Sequence, residues 1–229
     1  MRKWNGGLGA AALLVMICIG IAAAGSRKTT VPERSEAEAL MIGDSRTVGL
    51  AEHGQLDGTH FFASMGMTVR SAPEQRISVA RVGKVTLAEL LDTWEYDKIY
   101  IMLGINELEE PAGQTADAMK TLVRQIRDLQ PRAQIILLGN LHVTAIRSAE
   151  DPWYNNPAID RLNTEISGLA DGQQVFYLDS NGLTDDAQGA LDPARSADHA
   201  HLTSRGYREW GAWLQEQTQR ILKEGGQAT

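Results

Sequence analysis

Short apolar runs alternate with longer segments of helical period between residues 39 and 224, and nothing else in this 229-residue sequence restricts its fold as tightly. The runs are Ala39–Ile42, His60–Ala63, Lys98–Leu103, Gln134–Leu138 and Gln174–Leu178. A strand buried on both faces reads as an unbroken apolar run, and strands separated by helices pair in parallel. The pattern therefore predicts an α/β domain with a five-stranded parallel sheet covered by helices. Met119, Leu122, Ile126 and Leu129 share one helical face that Pro131 ends. Asn156 as N-cap and Pro157 as first helical residue open a second helix, with Ile159, Leu162, Ile166 and Leu169 on its apolar side. A last helix, from near Thr203, buries Tyr207, Trp210, Leu214 and Ile221 as core residues, and the tail at 225–229 frays.

Ahead of this domain, Arg2 and Lys3 precede an uncharged stretch from Trp4 to Ser26 that Arg27 and Lys28 close. Its length suits the ~20 residues needed to cross a bilayer. Residues 1–26 are expected to form a signal-anchor helix. Cleavage after Ala22-Ala23-Ala24, as in a secretory signal, is the alternative. Residues 27–38, with Pro32 and no apolar period, read as a linker, and either outcome puts the domain outside the cytoplasm. The only cysteine, Cys18, lies in the apolar stretch, so the domain has neither a disulfide framework nor a thiolate metal cluster. Ile17 before it is too large for lipoprotein processing. A net charge of −7 argues against nucleic acid as a partner.

In open α/β sheets ligands bind beyond the carboxyl ends of the strands, so the residues after each run carry the chemistry. Gly43-Asp44-Ser45 follows the first run. Ser45 is a candidate nucleophile at a helix N-terminus, or else that helix's N-cap. Gly66 and Asn106 follow the second and third runs. With the Ser45 N–H they supply three donors for an oxyanion, or they mark ordinary strand-end turns. In Asp198-His199-Ala200-His201 the carboxylate folds back on His201, the candidate base; His199 competes for that role, but as the direct neighbour of Asp198 it is expected to point the other way. Arg46 is either a contact for an anionic substrate group or an exposed first-turn arginine. His142 is placed at the pocket rim or the surface, and Trp153 and Tyr154 are available to stack on a sugar. Glu107-Leu108-Glu109-Glu110 reads as a solvated face or helix start. A metal held by His142, His199, His201 and Asp198 is a rival reading, without a compact ligand motif to support it.

Together, Gly43-Asp44-Ser45, Gly66, Gly104-x-Asn106 and Asp198-x-x-His201 resemble, in that order, the four blocks of the SGNH (GDSL-like) hydrolase family, over Ala39 to Leu222. The resemblance implies a three-layer α/β/α sandwich of flavodoxin-like topology. It implies Ser45 as nucleophile, Gly66 and Asn106 as oxyanion donors, His201 as base, and Asp198 completing a triad. Gly43 through Gly49, Tyr154-Asn155-Asn156 and Asn163 are similar to a membrane-anchored subgroup of Gram-positive bacteria. Two positions depart from the family pattern: Glu107 stands where aspartate is usual, and His199-Ala200 replaces a glycine-led pair. The activity implied is extracytoplasmic hydrolysis, without metal or cofactor, of small acyl esters, acetyl foremost, on a cell-wall or other carbohydrate. Acyl transfer to a wall polymer, or a non-catalytic glycan-binding module, are the rivals.

Overall fold

The computed structural model describes residues 35–225. The expected membrane segment, and the linker up to residue 34, lie outside the described residues. Among the described residues no helix is long and apolar enough to cross a membrane.

The chain runs β1 (Ser35–Gly43), α1 (Ser45–His53), β2 (Thr59–Ala63), β3 (Ile77–Val79), β4 (Gly83–Val85), α2 (Leu87–Thr93), β5 (Trp94–Met102), α3 (Ala112–Leu129), β6 (Gln134–Leu138), α4 (Ala145–Glu150), α5 (Asn156–Ser167), β7 (Val175–Leu178), α6 (Asn181–Thr184) and α7 (Ser204–Gly225). Five of the strands form one sheet in the order β2-β1-β5-β6-β7, with every pair parallel. Alternation along the strands divides the core into two layers. Leu40, Ile42, Ile99, Ile101, Ile135 and Leu137 pack against α2, α3 and α5. Met41, Tyr100, Met102, Ile136 and Leu138 face α1 and α7. Both faces are dry, which is why the runs are continuous in the sequence. The result is the expected three-layer α/β/α sandwich.

Three local expectations are corrected. β1 begins at Ser35, inside the expected linker, because Ser35, Glu36 and Ala37 continue the ladder opposite Trp94, Glu95 and Tyr96. A ladder is made by the backbone, so polar residues extend a strand past its apolar part. Asn155, not Asn156, caps α5, accepting from the Ala158 N–H, while the Asn156 side chain is spent on Val143. The antiparallel ribbon β3–β4 was not expected, since three-residue strands are too short to show a period.

α1 and α7 approach so closely that a Cβ at Gly211 would lie 2.2 Å from the Gly54 carbonyl oxygen. Backbone cannot step aside as a flexible side chain can. Gly211→Ala is expected to lower the unfolding free energy by about 1–3 kcal/mol, measured as a shifted urea midpoint. An unchanged midpoint would mean that the two helices do not pack at this distance.

Candidate active site

The strand order reverses between β1 and β5. Connections leaving these neighbours turn to opposite faces and open a crevice between them. Gly43, the last residue of β1, is not in the left-handed region; it is required because a Cβ would lie 1.9 Å from Thr47 Oγ1 and 2.9 Å from the Met102 carbonyl. Next, Asp44 caps α1, its Oδ1 accepting from the Arg46 N–H at 2.9 Å. The capping role open to Ser45 thus belongs to Asp44, and Ser45 is the first helical residue with its hydroxyl free to reach outward. Its Oγ lies 2.8 Å from His201 Nε2. Its N–H, first in the helix, has no intrahelical acceptor. Asp44 itself is fully buried, and burial outweighs the nearby Arg46 charge to push its carboxyl above the usual range.

His201 is held from behind. Its Nδ1 lies 2.8 Å from Asp198 Oδ2, while Asp198 Oδ1 accepts from the His201 and Ala200 N–H groups at 2.7 and 3.1 Å. Partial burial works to raise Asp198, but the His201 ring and these two N–H groups hold its carboxyl below the usual range, keeping it ionised. Between them His199 adopts φ 70°, a left-handed conformation that glycine enters without strain. This accounts for the departure from the family pattern: histidine occupies a backbone position suited to glycine. Thr144 clasps it, donating its N–H to the His199 carbonyl at 3.0 Å and meeting Nδ1 with its hydroxyl at 3.0 Å. His199 therefore points away from Ser45, as expected.

Gly66 and Asn106 stand on two turns tied to each other. Gly66 is left-handed at φ 70°, with nothing within 4 Å of where a side chain would start. Asn106 Nδ2 donates to the Met67 carbonyl at 3.0 Å, leaving the second amide hydrogen available. Glu107, expected on a solvated face, is instead buried: it accepts from the Val69 N–H at 2.8 Å and from Arg70 Nη1 at 3.2 Å. Glu107 braces the Gly66 turn against the Asn106 turn, a role its adjacency to Asn106 hinted at and its charge concealed.

Arg46 is 1% exposed, not the exposed first-turn arginine of the bland expectation. Its Nε donates to the Ala200 carbonyl at 3.2 Å, joining α1 to the turn that carries His201. Tyr154 lies against it, with the ring centroid 5.9 Å from Arg46 Cζ and 5.3 Å from Arg147 Cζ. Trp153 is by contrast open to solvent. His142, expected at a rim or surface, is buried between Asp185 and Asp160, at 2.7 and 2.8 Å. The imidazoles of the metal reading thus have separate partners, and among the described residues no group of three or more ligands is placed to hold an ion. The segment Gly139–Thr144 is buried though it belongs to no helix or strand. Asn163 and Asn181 serve the Asn140 carbonyl, Asn181 also takes the His142 N–H, and Asn156 serves both polar groups of Val143. These braces were not recognised in the sequence, because asparagines far apart carry no periodic signal.

Residues 41–209 match the model of the GDSL-like Lipase/Acylhydrolase family. No curated protein matches the chain in sequence. Among solved structures, a GDSL-like lipase from Bacteroides thetaiotaomicron is similar at 17% identity and TM-score 0.61, covering 82% of this chain and 89% of that one. A carbohydrate esterase family 3 protein from Talaromyces cellulolyticus is similar at 16% identity and TM-score 0.55, over 82% and 99%. A carbohydrate acetylesterase from Sinorhizobium meliloti is similar at 16% identity and TM-score 0.52, over 82% and 100%. At these identities the likeness to solved structures is one of fold.

The His142 cluster makes stability depend on pH. Burial alone would lower the His142 pKa, but hydrogen bonds and charge from Asp185 and Asp160 raise it from 6.5 to about 8. Because the folded value is the higher one, its contribution is complete below about pH 6.5 and is lost as pH rises through about 8. The difference corresponds to about 2 kcal/mol. Urea denaturation at pH 6 and pH 9 should show wild type losing this margin relative to His142→Gln; parallel pH dependence in the two proteins would refute it.

Proposed function

We propose, from the premise that this chain belongs to the GDSL-like lipase/acylhydrolase family, that it is a serine esterase using Ser45, His201 and Asp198. The observation that carries this reading is the unbroken path from Ser45 Oγ through the His201 ring to the Asp198 carboxylate, each link 2.8 Å. With a hydrogen on Nδ1 bonded to Asp198, His201 Nε2 accepts the Ser45 proton as Oγ attacks the ester carbonyl. Asp198 fixes that tautomer and supports the imidazolium. The Ser45 N–H, the Gly66 N–H and the free Asn106 amide hydrogen stabilise the oxyanion. His201 then gives its proton to the departing alcohol. A water, deprotonated in turn by His201, attacks the acyl carbon; the bond to Ser45 Oγ breaks, His201 returns the proton to Oγ, and the acyl group leaves as a carboxylic acid.

In this proposal the substrate is a small acyl ester, acetyl foremost, of a cell-wall or other carbohydrate. Support comes from the carbohydrate esterases among the proteins of similar fold and from the open Trp153, next in the chain to the Tyr154 that lies against Arg46. The proposal also places the domain outside the cytoplasm, anchored by residues 1–26, on the support of the uncharged Trp4–Ser26 stretch and its flanking charges.

The test is hydrolysis of p-nitrophenyl acetate by the full chain. Ser45→Ala should reduce kcat by about a thousandfold or more, Asn106→Ala by about a hundredfold, and EDTA should leave the wild type active. Equal rates from a folded wild type and Ser45→Ala would overturn the esterase reading. Release of p-nitrophenol beyond one equivalent per chain only when a sugar acceptor is added would favour acyl transfer.

A further inference from the structure

Three large apolar side chains are exposed among the described residues: Met65 at 70%, Ile146 at 57% and Trp153 at 54%. Met65 directly follows the carboxyl end of β2, Ile146 stands two residues past Thr144, which bonds to His199, and Trp153 directly precedes Tyr154, which lies against Arg46, so each is tied to the edge where Ser45 stands. Scattered exposed hydrophobics are ordinary, but confinement to one functional edge marks a surface that meets something. Beside Trp153 lies a cleft of about 300 Å³, lined by Leu108, Glu109, Pro111, Pro152, Trp153 and Arg161 among others. That volume is at the small end for ligand sites. One wall continues from the Asn106 turn, through Glu107 and Leu108. The other wall ends one residue before Tyr154, which lies against Arg46, the neighbour of Ser45.

We propose that this cleft is a glycan subsite, holding the sugar ring next to the one that bears the acyl group. The position of the acyl group rests on the esterase reading above; the binding of a sugar ring does not. A pyranose presents an apolar C–H face and a rim of hydroxyls that are at once donors and acceptors. The open Trp153 ring, with Pro152 and Pro111 beside it, provides the surface for the C–H face. Glu109 accepts from hydroxyls and Arg161 donates to them, and neither is committed to an ion pair among the described residues. The neighbouring carboxylates are accounted for, since Glu107 and Glu110 both pair with Arg70. A long acyl chain would have to strip water from Glu109 and Arg161 without replacing it. An anionic polymer would have to face Glu109, the one of these three carboxylates that Arg70 does not pair with. A neutral sugar meets neither cost.

Binding is measured on the full chain carrying Ser45→Ala, titrated by calorimetry with chito- and xylo-oligosaccharides of four sugar units. At least one tetramer should bind. Adding Trp153→Ala should weaken it about tenfold, whereas Trp153→Phe should retain most of the affinity because ring stacking survives. Melting curves confirm that each variant is folded. Binding of neither tetramer, or equal affinity with and without Trp153, overturns the subsite. Because these titrations need no turnover, they stand apart from the p-nitrophenyl acetate assay, whose failure would strike the esterase reading instead.

Discussion

Strands of the parallel sheet release their connections at one edge, and there the regular ladder stops while burial continues. Each peptide group in those connections must find a partner other than a neighbouring strand, or cost about 1–3 kcal/mol. Side chains meet this demand, and the same side chains fix the candidate site. Asp44 caps α1 and turns Ser45 outward. Glu107 takes the Val69 N–H, and Asn106 gives to the Met67 carbonyl, so the turns of Gly66 and Asn106 are tied to each other. Asp198 takes two N–H groups with one oxygen and the His201 ring with the other. Satisfying the backbone and positioning the chemistry are one physical act here.

The sheet was legible in the sequence for a reason that also explains what was not. Leu40 to Ile42 and Ile135 to Leu138 read as strands because both of their faces are buried, and hydrophobicity records burial directly. The helical stripes of α3 and α7 were visible for the same reason. Polar extensions such as Ser35–Ala37 left no trace, since the backbone alone holds them in the ladder. In the site, Ser45, His201 and Asp198 stood out by residue type and order. Glu107, Thr144 and the asparagines did not, because their partners lie elsewhere in the chain and most are peptide groups. Charge misled at Glu107, and Arg46 was expected at the surface, where arginine usually lies.

Arg46 and Asp44 show what such a buried edge tolerates. Both Nη atoms of Arg46 and Oδ2 of Asp44 are buried without a hydrogen-bond partner. The opposite charges of the two residues lower the cost, as does Tyr154 over the guanidinium. What the arrangement secures is a tie between α1 and the Ala200 carbonyl, across the Ser45–His201 contact. His199 is a second tolerated strain at the same turn, with a left-handed backbone kept in place by Thr144. At this turn a departure from local preference sits where two distant segments meet within hydrogen-bond reach.

Ser45 and His201 are 156 residues apart in the chain. A polypeptide that emerges amino end first therefore displays the Ser45 hydroxyl long before the His201 ring that it meets in the folded domain. That contact cannot close until the turn carrying His201 has been made. A copy truncated ahead of this turn keeps the Ser45 hydroxyl and lacks the ring that lies against it.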